Sequence, residues 1–253
     1  MLRALLDANA DVQKVTLDIS DLIGGGWLEP DVRLCEAARS PDGVGRPMHE
    51  PTIILGEGST DVHVLRTSLA ALFPHLVEYF GFFDHAELNV DGGANYLVKF
   101  LKAFGAAGIS SQMVAIFDND TVGREAFENA KGLSLPENIK VLKLPDIELA
   151  RAYPSVGPQG AHVVDINGRA ASIELYLGKR NLLGNGGILT PIRWRGYSDR
   201  MDAYQGEIEN KSEILRRFSH DISTYVSPIA ARVAYPELVA VWQSIFEALK
   251  VMG

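Results

Sequence analysis

The segment VAIFDNDTVGREA, residues 114 to 126, carries the pattern that decides the fold class. An apolar run stops at Asp118, and Asp120 and Gly123 follow before a stretch with helical character. A continuous apolar run of this length is typical of a strand buried on both faces of a parallel sheet. Two carboxylates side by side at its end repel each other, so solvent, a helix N-terminus or a cation must compensate.

Strand and helix patterns alternate between residues 51 and 145. Apolar residues at i, i+3, i+7 and i+10, counted from Val62, predict a helix after the first strand, and helices are also predicted after the second and third. This alternation predicts an α/β fold: a parallel four-stranded sheet with helices on both faces. The strands are predicted at 52–56 (TIILG), 86–90 (AELNV), 113–117 (MVAIF) and 139–144 (IKVLKL).

The regions on either side of this core are less regular. Residues 1–50 are predicted as an irregular or helical lead-in that is rich in turn formers. Residues 146–253 are predicted as a mainly helical C-terminal extension, whose last helix begins at Pro236. Shorter helices are predicted at 171–178 and 210–218.

Composition narrows the class of protein. The hydrophobic content of 47% favours a globular chain. No apolar stretch approaches the ~20 residues that span a bilayer, so we expect a cytoplasmic protein without a membrane segment. A single cysteine, Cys35, excludes an internal disulfide framework and a cysteine-based zinc site. The net charge of −8 excludes an overall basic field for nucleic acid, and leaves the acids either spread over the surface or concentrated at a metal site.

Four carboxylates follow two of the predicted strands. Glu57 comes directly after the first strand in GEGSTD, and Asp61 lies about one helical turn further on. Asp118 and Asp120 follow the third strand. If these strands are neighbours, the four acids converge at one sheet edge, where ligands collect in open parallel sheets. A set of ligands made only of oxygen atoms suits Mg²⁺ or Mn²⁺.

Each acid also has a purely structural interpretation. Asp61 could be an acid at a helix N-terminus, and Asp118 a helix cap, with Asn119 and Asp120 in a turn. Glu57 is neither a good cap nor a good turn residue. Because the same arrangement occurs at two strand ends, the metal interpretation is favoured.

Two of these motifs together resemble a known family. Glu57-Gly58 after one strand, and D-x-D-x-x-G (Asp118, Asp120, Gly123) after another, are similar to the Toprim domain of topoisomerases, bacterial primases, recombination mediators and OLD-family nucleases. The similarity covers roughly residues 51–145. A topoisomerase needs a strand-attacking tyrosine on a separate domain and a primase needs accessory domains, so the nucleases are the better comparison.

Three further features resemble the OLD-like nucleases: an acid one turn after the glutamate, a later Ile-Glu pair (Ile173-Glu174) and a C-terminal lysine, Lys211. The resemblance implies a nuclease with two Mg²⁺ or Mn²⁺ ions, in which Glu57 and Lys211 are catalytic and Lys211 stabilises charge on the phosphate. It implies that Glu57, Asp118 and Asp120 hold one ion and that Asp61 and Glu174 help to hold the second.

Simpler roles stay open for these residues. Glu174 could be a solvent-facing acid and Lys211 an ordinary surface lysine. Asp146, Glu148 and Asp165 are alternative ligands for the second ion.

The resemblance also implies partners. Nucleic acid is the expected substrate, DNA rather than RNA, and arginines near aromatic residues in IRWRGYSDR and NKSEILRRF (Arg193, Arg195 and Arg217) are candidate phosphate contacts. OLD proteins carry an ATPase, but this chain has no G-x-x-x-x-G-K-[ST] loop, so an ATPase is missing or belongs to another polypeptide. DNDTVGREA and ASIELYLG are similar to Toprim proteins that pair with HEPN partners in bacterial antiviral defence. A homo-oligomer is compatible with this interpretation.

Two other functions compete with the nuclease. DNDTV resembles the motif of haloacid-dehalogenase-type phosphatases, with Asp118 as nucleophile and Asp120 as acid–base, but a convincing late acidic pair is missing and GEGSTD has no role there. A non-catalytic Toprim scaffold that binds a partner protein is the third possibility. A cluster of carboxylates without a metal would be a liability in such a scaffold.

Overall fold

The computed structural model describes residues 16, 18–25, 50–84 and 92–250. The chain divides into two compact units, residues 1–49 and 50–253. In the first unit, the described part contains a short helix, α1 (Ser20–Gly24). The rest of the predicted lead-in and the predicted strand at 86–90 lie outside the described residues.

The second unit begins with alternating strands and helices. Strands β1, β2, β3 and β5 form a parallel sheet in the order β2-β1-β3-β5. The predicted parallel four-stranded α/β sheet is therefore confirmed, although its edge strand β2 was not predicted. The elements are β1 (Thr52–Leu55), α2 (Ser59–Leu72), β2 (Phe80–Phe83), α3 (Ala94–Ala107), β3 (Met113–Phe117), β4 (Asn119–Asp120), α4 (Thr121–Lys131) and β5 (Ile139–Lys143).

Helices cover both faces of this sheet. Because successive strand residues point to opposite faces, Ile54 packs into one core and Leu55 into another. The first core contains the buried side of α2, and the second contains buried residues of α3 and α4. This arrangement explains why β1 and β3 are apolar at nearly every position.

Residues 153–208 build a second sheet, which corrects the prediction of a mainly helical extension. Its order is β10-β9-β6-β7, with β6 and β9 parallel and the other pairs antiparallel. Four of the seven residues of β9 are exposed, and β10 carries the polar residues Gln205 and Glu207 at half-buried positions, so their sequences lack the apolar alternation that signals a strand. The strands of this sheet are β6 (Tyr153–Gly157), β7 (Gly160–Val164), β9 (Ile192–Ser198) and β10 (Ala203–Ile208), whereas β8 (Ala170–Ala171) pairs with β4 in a separate two-stranded sheet.

Helices α5 (Lys211–Ser223), α6 (Pro228–Ala234) and α7 (Pro236–Lys250) complete the chain. The predicted helices at 210–218 and from Pro236 are confirmed, whereas 171–178 contains β8 residue Ala171 and a 3₁₀ turn, Ile173–Tyr176. α7 packs into the same core as α2: Trp242 is fully buried, and its Nε1 donates a hydrogen bond to Ser68 Oγ at 2.9 Å. Among the described helices, none is long and apolar enough to cross a membrane.

Candidate functional site

The two predicted acidic motifs lie beside each other at one edge of the parallel sheet. β1 and β3 are hydrogen-bonded neighbours, with Leu55 paired to Ala115, so both strands deliver the residues that follow them to the same edge. There, Glu57 Oε1 accepts a hydrogen bond from the backbone N–H of Asp118 at 2.9 Å. Residues 61 positions apart in sequence are thus in direct contact.

Asp61 and Asp120 each sit at the start of a helix. Asp61 Oδ2 accepts a hydrogen bond from the Gly58 N–H at 2.8 Å in the first turn of α2. Asp120 is the N-cap of α4, and its Oδ1 accepts from the Gly123 N–H at 2.7 Å. The structural roles considered for these acids therefore exist, and Asp120, rather than Asp118, is the cap.

The glycine of D-x-D-x-x-G permits this close turn. A Cβ atom added to Gly123 would lie 2.4 Å from the backbone oxygen of Asp118, which is nearer than real Cβ contacts allow. A side chain at this position would push α4 away from Asp118. The glycine thus lets the helix start directly beside the carboxylates.

Asp118 connects the sheet edge to the extension. Its Oδ1 accepts a hydrogen bond from the backbone N–H of Ile173 at 3.0 Å, which draws the 3₁₀ turn Ile173–Tyr176 to the edge. β4 pairs with β8 next to this turn, with Asp120 opposite Ala170. The Ile-Glu pair predicted from the family resemblance therefore lies at the same place as the Asp motif.

Glu174 and Lys211 form an ion pair in this region. Glu174 is 5% exposed, and its Oε1 lies 3.4 Å from Lys211 Nζ. Ser172 Oγ donates to Glu174 Oε2 at 2.6 Å, and Glu207 Oε1 is 3.7 Å from the same lysine Nζ. Glu174 is therefore not a solvent-facing acid, whereas Lys211 is 38% exposed and is held by ion pairs to two glutamates.

The acidic side chains of the cluster raise one another's pKa values. Burial, followed by the charges of Asp61, Glu57, Asp120 and Glu174, raises the pKa of Asp118 well above its usual range. Burial is also the main cause that raises the pKa of Glu57 to about 8, of Asp61 to about 7, and of Asp120 above its ordinary value.

The same surroundings favour the charged form of Lys211. Burial opposes its charge, but the carboxylates of Glu174, Glu207 and Asp118 outweigh that effect and raise the pKa of the lysine. It therefore carries a positive charge throughout the neutral range. One ammonium faces six carboxylates, those of Glu57, Asp61, Asp118, Asp120, Glu174 and Glu207, so the cluster has an excess of potential negative charge.

The chemistry of these donor atoms suits a hard divalent cation. All the donors are carboxylate oxygens, the ligands that Mg²⁺ and Mn²⁺ prefer. Glu57 and Asp118 each have one oxygen held by a backbone N–H, while the other oxygen, Oε2 or Oδ2, accepts no hydrogen bond from any described residue. Those two atoms are available to a cation.

The positions of the donors do not form a finished coordination sphere. Within the described ranges, no group of three or more Asp, Glu, His or Cys side chains is arranged to hold an ion. Asp120 Oδ2 accepts a hydrogen bond from Gln205 Nε2 at 2.7 Å, and Asp61 and Glu174 are also bonded within the protein. These hydrogen bonds fix the orientations of the three carboxylates.

The alternative ligands for a second ion are bonded elsewhere. Asp146 accepts from Asn119 Nδ2 at 2.8 Å and pairs with Lys143. Glu148 pairs with Arg151 on the surface at 2.9 Å. Asp165 accepts hydrogen bonds from both nitrogens of Asn167.

Three contributors to the cluster were not predicted from sequence. Gln205 reaches Asp120 from β10, Ser172 supports Glu174, and Glu207 supports Lys211. Ser172 adjoins the Ile-Glu pair, which is a weak signal. Gln205 and Glu207 belong to no motif, and only the position of β10 reveals them.

The predicted phosphate-binding arginines are each paired with an acid. Arg193 Nε lies 2.7 Å from Glu209, Arg195 Nε lies 3.2 Å from Glu207 and Arg217 Nε lies 3.0 Å from Glu213. Surface pairs of this kind are worth only about 0–1 kcal/mol, so a phosphate could replace the acid. Their charge is nevertheless balanced within the protein.

Comparisons with protein-family models, with curated proteins and with solved structures each find no match to this chain. The family resemblance therefore rests on the motifs and on the way in which the fold brings them together.

Proposed function

We propose that this chain is a Toprim-like nuclease that hydrolyses phosphodiester bonds in the presence of Mg²⁺ or Mn²⁺. The observation that supports it most is the hydrogen bond between Glu57 Oε1 and the Asp118 N–H, which joins the two motifs at the end of β1 and β3. Substrates and cofactors of open parallel sheets collect at this edge.

In this proposal the carboxylates divide into two groups. Glu57, Asp118 and Asp120 would hold one ion, and Asp61 with Glu174 would help to hold a second. When bound, the ions supply Lewis-acid assistance to phosphodiester hydrolysis, so the protein needs no nucleophilic side chain of its own.

Lys211 and Glu57 are the catalytic residues of the proposal. Lys211 is held by Glu174 and Glu207 and stays protonated, so that it can neutralise charge on a phosphate oxygen. Glu57 lies against the Asp118 backbone at the sheet edge and, as a ligand of one ion, would hold that ion beside the phosphate to be hydrolysed.

The wider proposal concerns substrate and context. DNA is favoured over RNA, and an ATPase or HEPN partner would be a separate polypeptide, in keeping with a cytoplasmic role in antiviral defence. A homo-oligomer fits the same family resemblance. These points rest on the resemblance of DNDTVGREA and ASIELYLG to proteins of that kind.

One observation favours a non-catalytic scaffold as the second candidate. Raised pKa values allow Glu57, Asp61 and Asp118 to be protonated, which would remove the repulsion without any ion. The phosphatase alternative is weaker, because the contact between Glu57 and Asp118 gives GEGSTD a role that a phosphatase would not use.

A cleavage assay with an Asp118→Asn variant tests the nuclease. We expect wild-type protein to cut plasmid or linear DNA in Mg²⁺ or Mn²⁺. Asp118→Asn keeps the size of the side chain and removes its charge, so cleavage should fall by more than the ~10–100-fold typical for loss of an outer-shell partner. The assay should include RNA as a parallel substrate.

Asp165→Asn is the matched control, since Asp165 bonds only to Asn167 in the described structure and lies outside the cluster. It should cut like wild type. If neither polymer is cut with either metal and calorimetry detects no binding of Mn²⁺, the scaffold is the better description. Turnover of a phosphomonoester with an acyl-phosphate on Asp118 would instead establish the phosphatase.

A further inference from the structure

A cavity of about 410 Å³ lies in the second sheet, apart from the carboxylates. Its walls include His162 of β7, Arg169 beside β8, Trp194 of β9 and Tyr204 of β10. We call this the aromatic cavity. Its volume falls within the ~300–1,000 Å³ range of sites that bind small organic groups.

The aromatic side chains of the cavity present ring surface to solvent. Tyr204 is 59% exposed, and its ring lies 6.4 Å from that of Trp194 and 5.0 Å from that of Tyr197, both in edge-to-face geometry. Exposed aromatic rings held by neighbouring rings are rigid platforms for stacking. Burial of a ring in the protein core does not explain Tyr204.

The aromatic cavity adjoins the carboxylate cluster through two short connections. On β10, Tyr204 lines the cavity while the next residue, Gln205, donates to Asp120 Oδ2. Arg169 lines the cavity and precedes Ala170, which pairs with Asp120. Because successive strand residues point to opposite faces, Tyr204 and Gln205 lie on opposite sides of the edge strand β10, and only an extended ligand such as a polymer strand that passes around this edge could contact both the cavity and the carboxylates.

The charge in the cavity is positive and unbalanced. Arg169 is exposed, and its guanidinium makes no ion pair or hydrogen bond with any described residue. It differs in this respect from Arg193, Arg195 and Arg217, which are all paired with glutamates. An unpaired guanidinium next to aromatic rings suits a group that combines a flat ring with a phosphate.

From these observations we infer that the aromatic cavity receives an unpaired nucleobase, and that the substrate of the neighbouring site is single-stranded nucleic acid. The inference rests on the proposed function for the reaction, because it names the form of the substrate. A base in a duplex is stacked and paired, and its extrusion costs a few kcal/mol, whereas a single strand offers its bases freely. Arg169 would contact a backbone phosphate of the same strand.

Fluorescence anisotropy in EDTA tests the inference without metal or cleavage. Labelled single-stranded DNA, single-stranded RNA and duplex DNA of the same sequence are titrated with the full chain. We expect either single strand to bind more tightly than the duplex, and the tighter of the two identifies the sugar. Tyr204→Ala should weaken single-strand binding by about 10-fold, since a stacked base contributes ~1–3 kcal/mol.

Two variants control for folding and for general effects of removing a tyrosine. Tyr204→Phe keeps the ring and should bind like wild type. Tyr79→Ala removes a tyrosine that is 56% exposed and does not line the cavity, so it should also bind like wild type. A duplex bound as tightly as the single strands, or unchanged binding by Tyr204→Ala, would overturn the inference.

A second measurement uses the wild-type chain. Stacking of a nucleoside monophosphate in the cavity should quench tryptophan fluorescence, and Trp194→Phe should abolish the quenching; quenching that persists in Trp194→Phe contradicts the inference. The experiments distinguish failure of the inference from failure of the proposed function. If the wild-type chain prefers single strands and Tyr204→Ala loses that preference, the cavity is supported even if the chain never cuts DNA. If the wild-type chain cuts duplex DNA and Tyr204→Ala cuts it equally well, the nuclease stands and the inference about the cavity is refuted.

Discussion

At the scale of single residues, the site is defined by acids that the fold brings together against their mutual repulsion. The Glu57 and Asp61 carboxyls have pKa values of about 8 and 7, compared with ordinary values of 4.5 and 3.8, mainly because burial disfavours their charged forms. Gly123 makes the approach possible, since any side chain there would collide with the Asp118 carbonyl. The stability of the protein must therefore depend on the protonation of these groups.

The sign of this dependence follows from the direction of the shifts. A folded-state pKa above the unfolded value means that the folded protein binds the proton more tightly, so the stabilisation is complete below about pH 4 and is lost as the pH rises to about 8. In EDTA, the free energy of unfolding should fall by more than about 1 kcal/mol between pH 5 and pH 8.

Urea titrations at the two pH values measure this fall. Mg²⁺ competes with the protons, so adding it should restore more stability at pH 8 than at pH 5. Asp61→Asn should make the free energy of unfolding depend less on pH, because the asparagine side chain has no acidic proton to lose. An unchanged free energy of unfolding across this range in EDTA would contradict the pKa shifts.

At the scale of secondary-structure elements, the parallel sheet was predictable where strands are buried on both faces. β1 and β3 carry apolar runs, and the edge strand β5 alternates apolar residues with lysines, and these local signals suffice. β2 was missed because its four residues contain Gly81, which weakens a strand signal. The second sheet was missed because β9 exposes polar residues and its pairing with β6 joins segments far apart in sequence.

The residues of the site also divide into those that the local sequence predicts and those that it does not. Glu57, Asp61, Asp118 and Asp120 could be placed at a sheet edge from sequence, because strand ends are local features and parallel strands share an edge. Gln205 reaches the cluster only because β10 lies beside the β4–β8 pair, through the Gly206 N–H bond to the Arg169 carbonyl. No local pattern contains that information.

This position of β10 yields a prediction about ion binding. Gln205 fixes the Asp120 carboxylate from outside the set of proposed ligands, so Gln205→Ala should weaken Mn²⁺ binding by roughly 10–100-fold. Isothermal titration calorimetry gives the dissociation constant. Gln112→Ala is the control, since Gln112 bonds Thr52 at the start of β1 and should not affect binding. Equal Mn²⁺ affinity in the two variants would remove Gln205 from the site.

At the scale of the whole molecule, the second unit joins the parallel-sheet segment, residues 51–145, and the extension into one core. Residues of α2, the sheet and α7 belong to the same buried cluster, and Ser68 of α2 accepts the hydrogen bond from Trp242. The boundary predicted at residue 145 therefore falls within a single packed unit, residues 50–253. The extension supplies both Glu174 and part of the hydrophobic core that packs on the sheet.

This shared core predicts that residues 50–145 cannot fold alone. Removing the extension would expose apolar side chains of α2 and the parallel sheet that now share one core with α7, and each buried side chain of this size contributes about 1.5–3 kcal/mol. Several such losses exceed the total stability of a typical domain, about 5–15 kcal/mol. A fragment of residues 50–145 should therefore lack a cooperative thermal transition in circular dichroism, whereas residues 50–253 should unfold in one step. Trp242→Phe is the milder control: it loses one hydrogen bond and part of a fully buried ring, so the single transition should remain at a lower temperature, with a loss of stability of more than about 1 kcal/mol. A fragment of residues 50–145 that unfolds cooperatively would show that the parallel sheet is an independent domain and that the extension only completes the site.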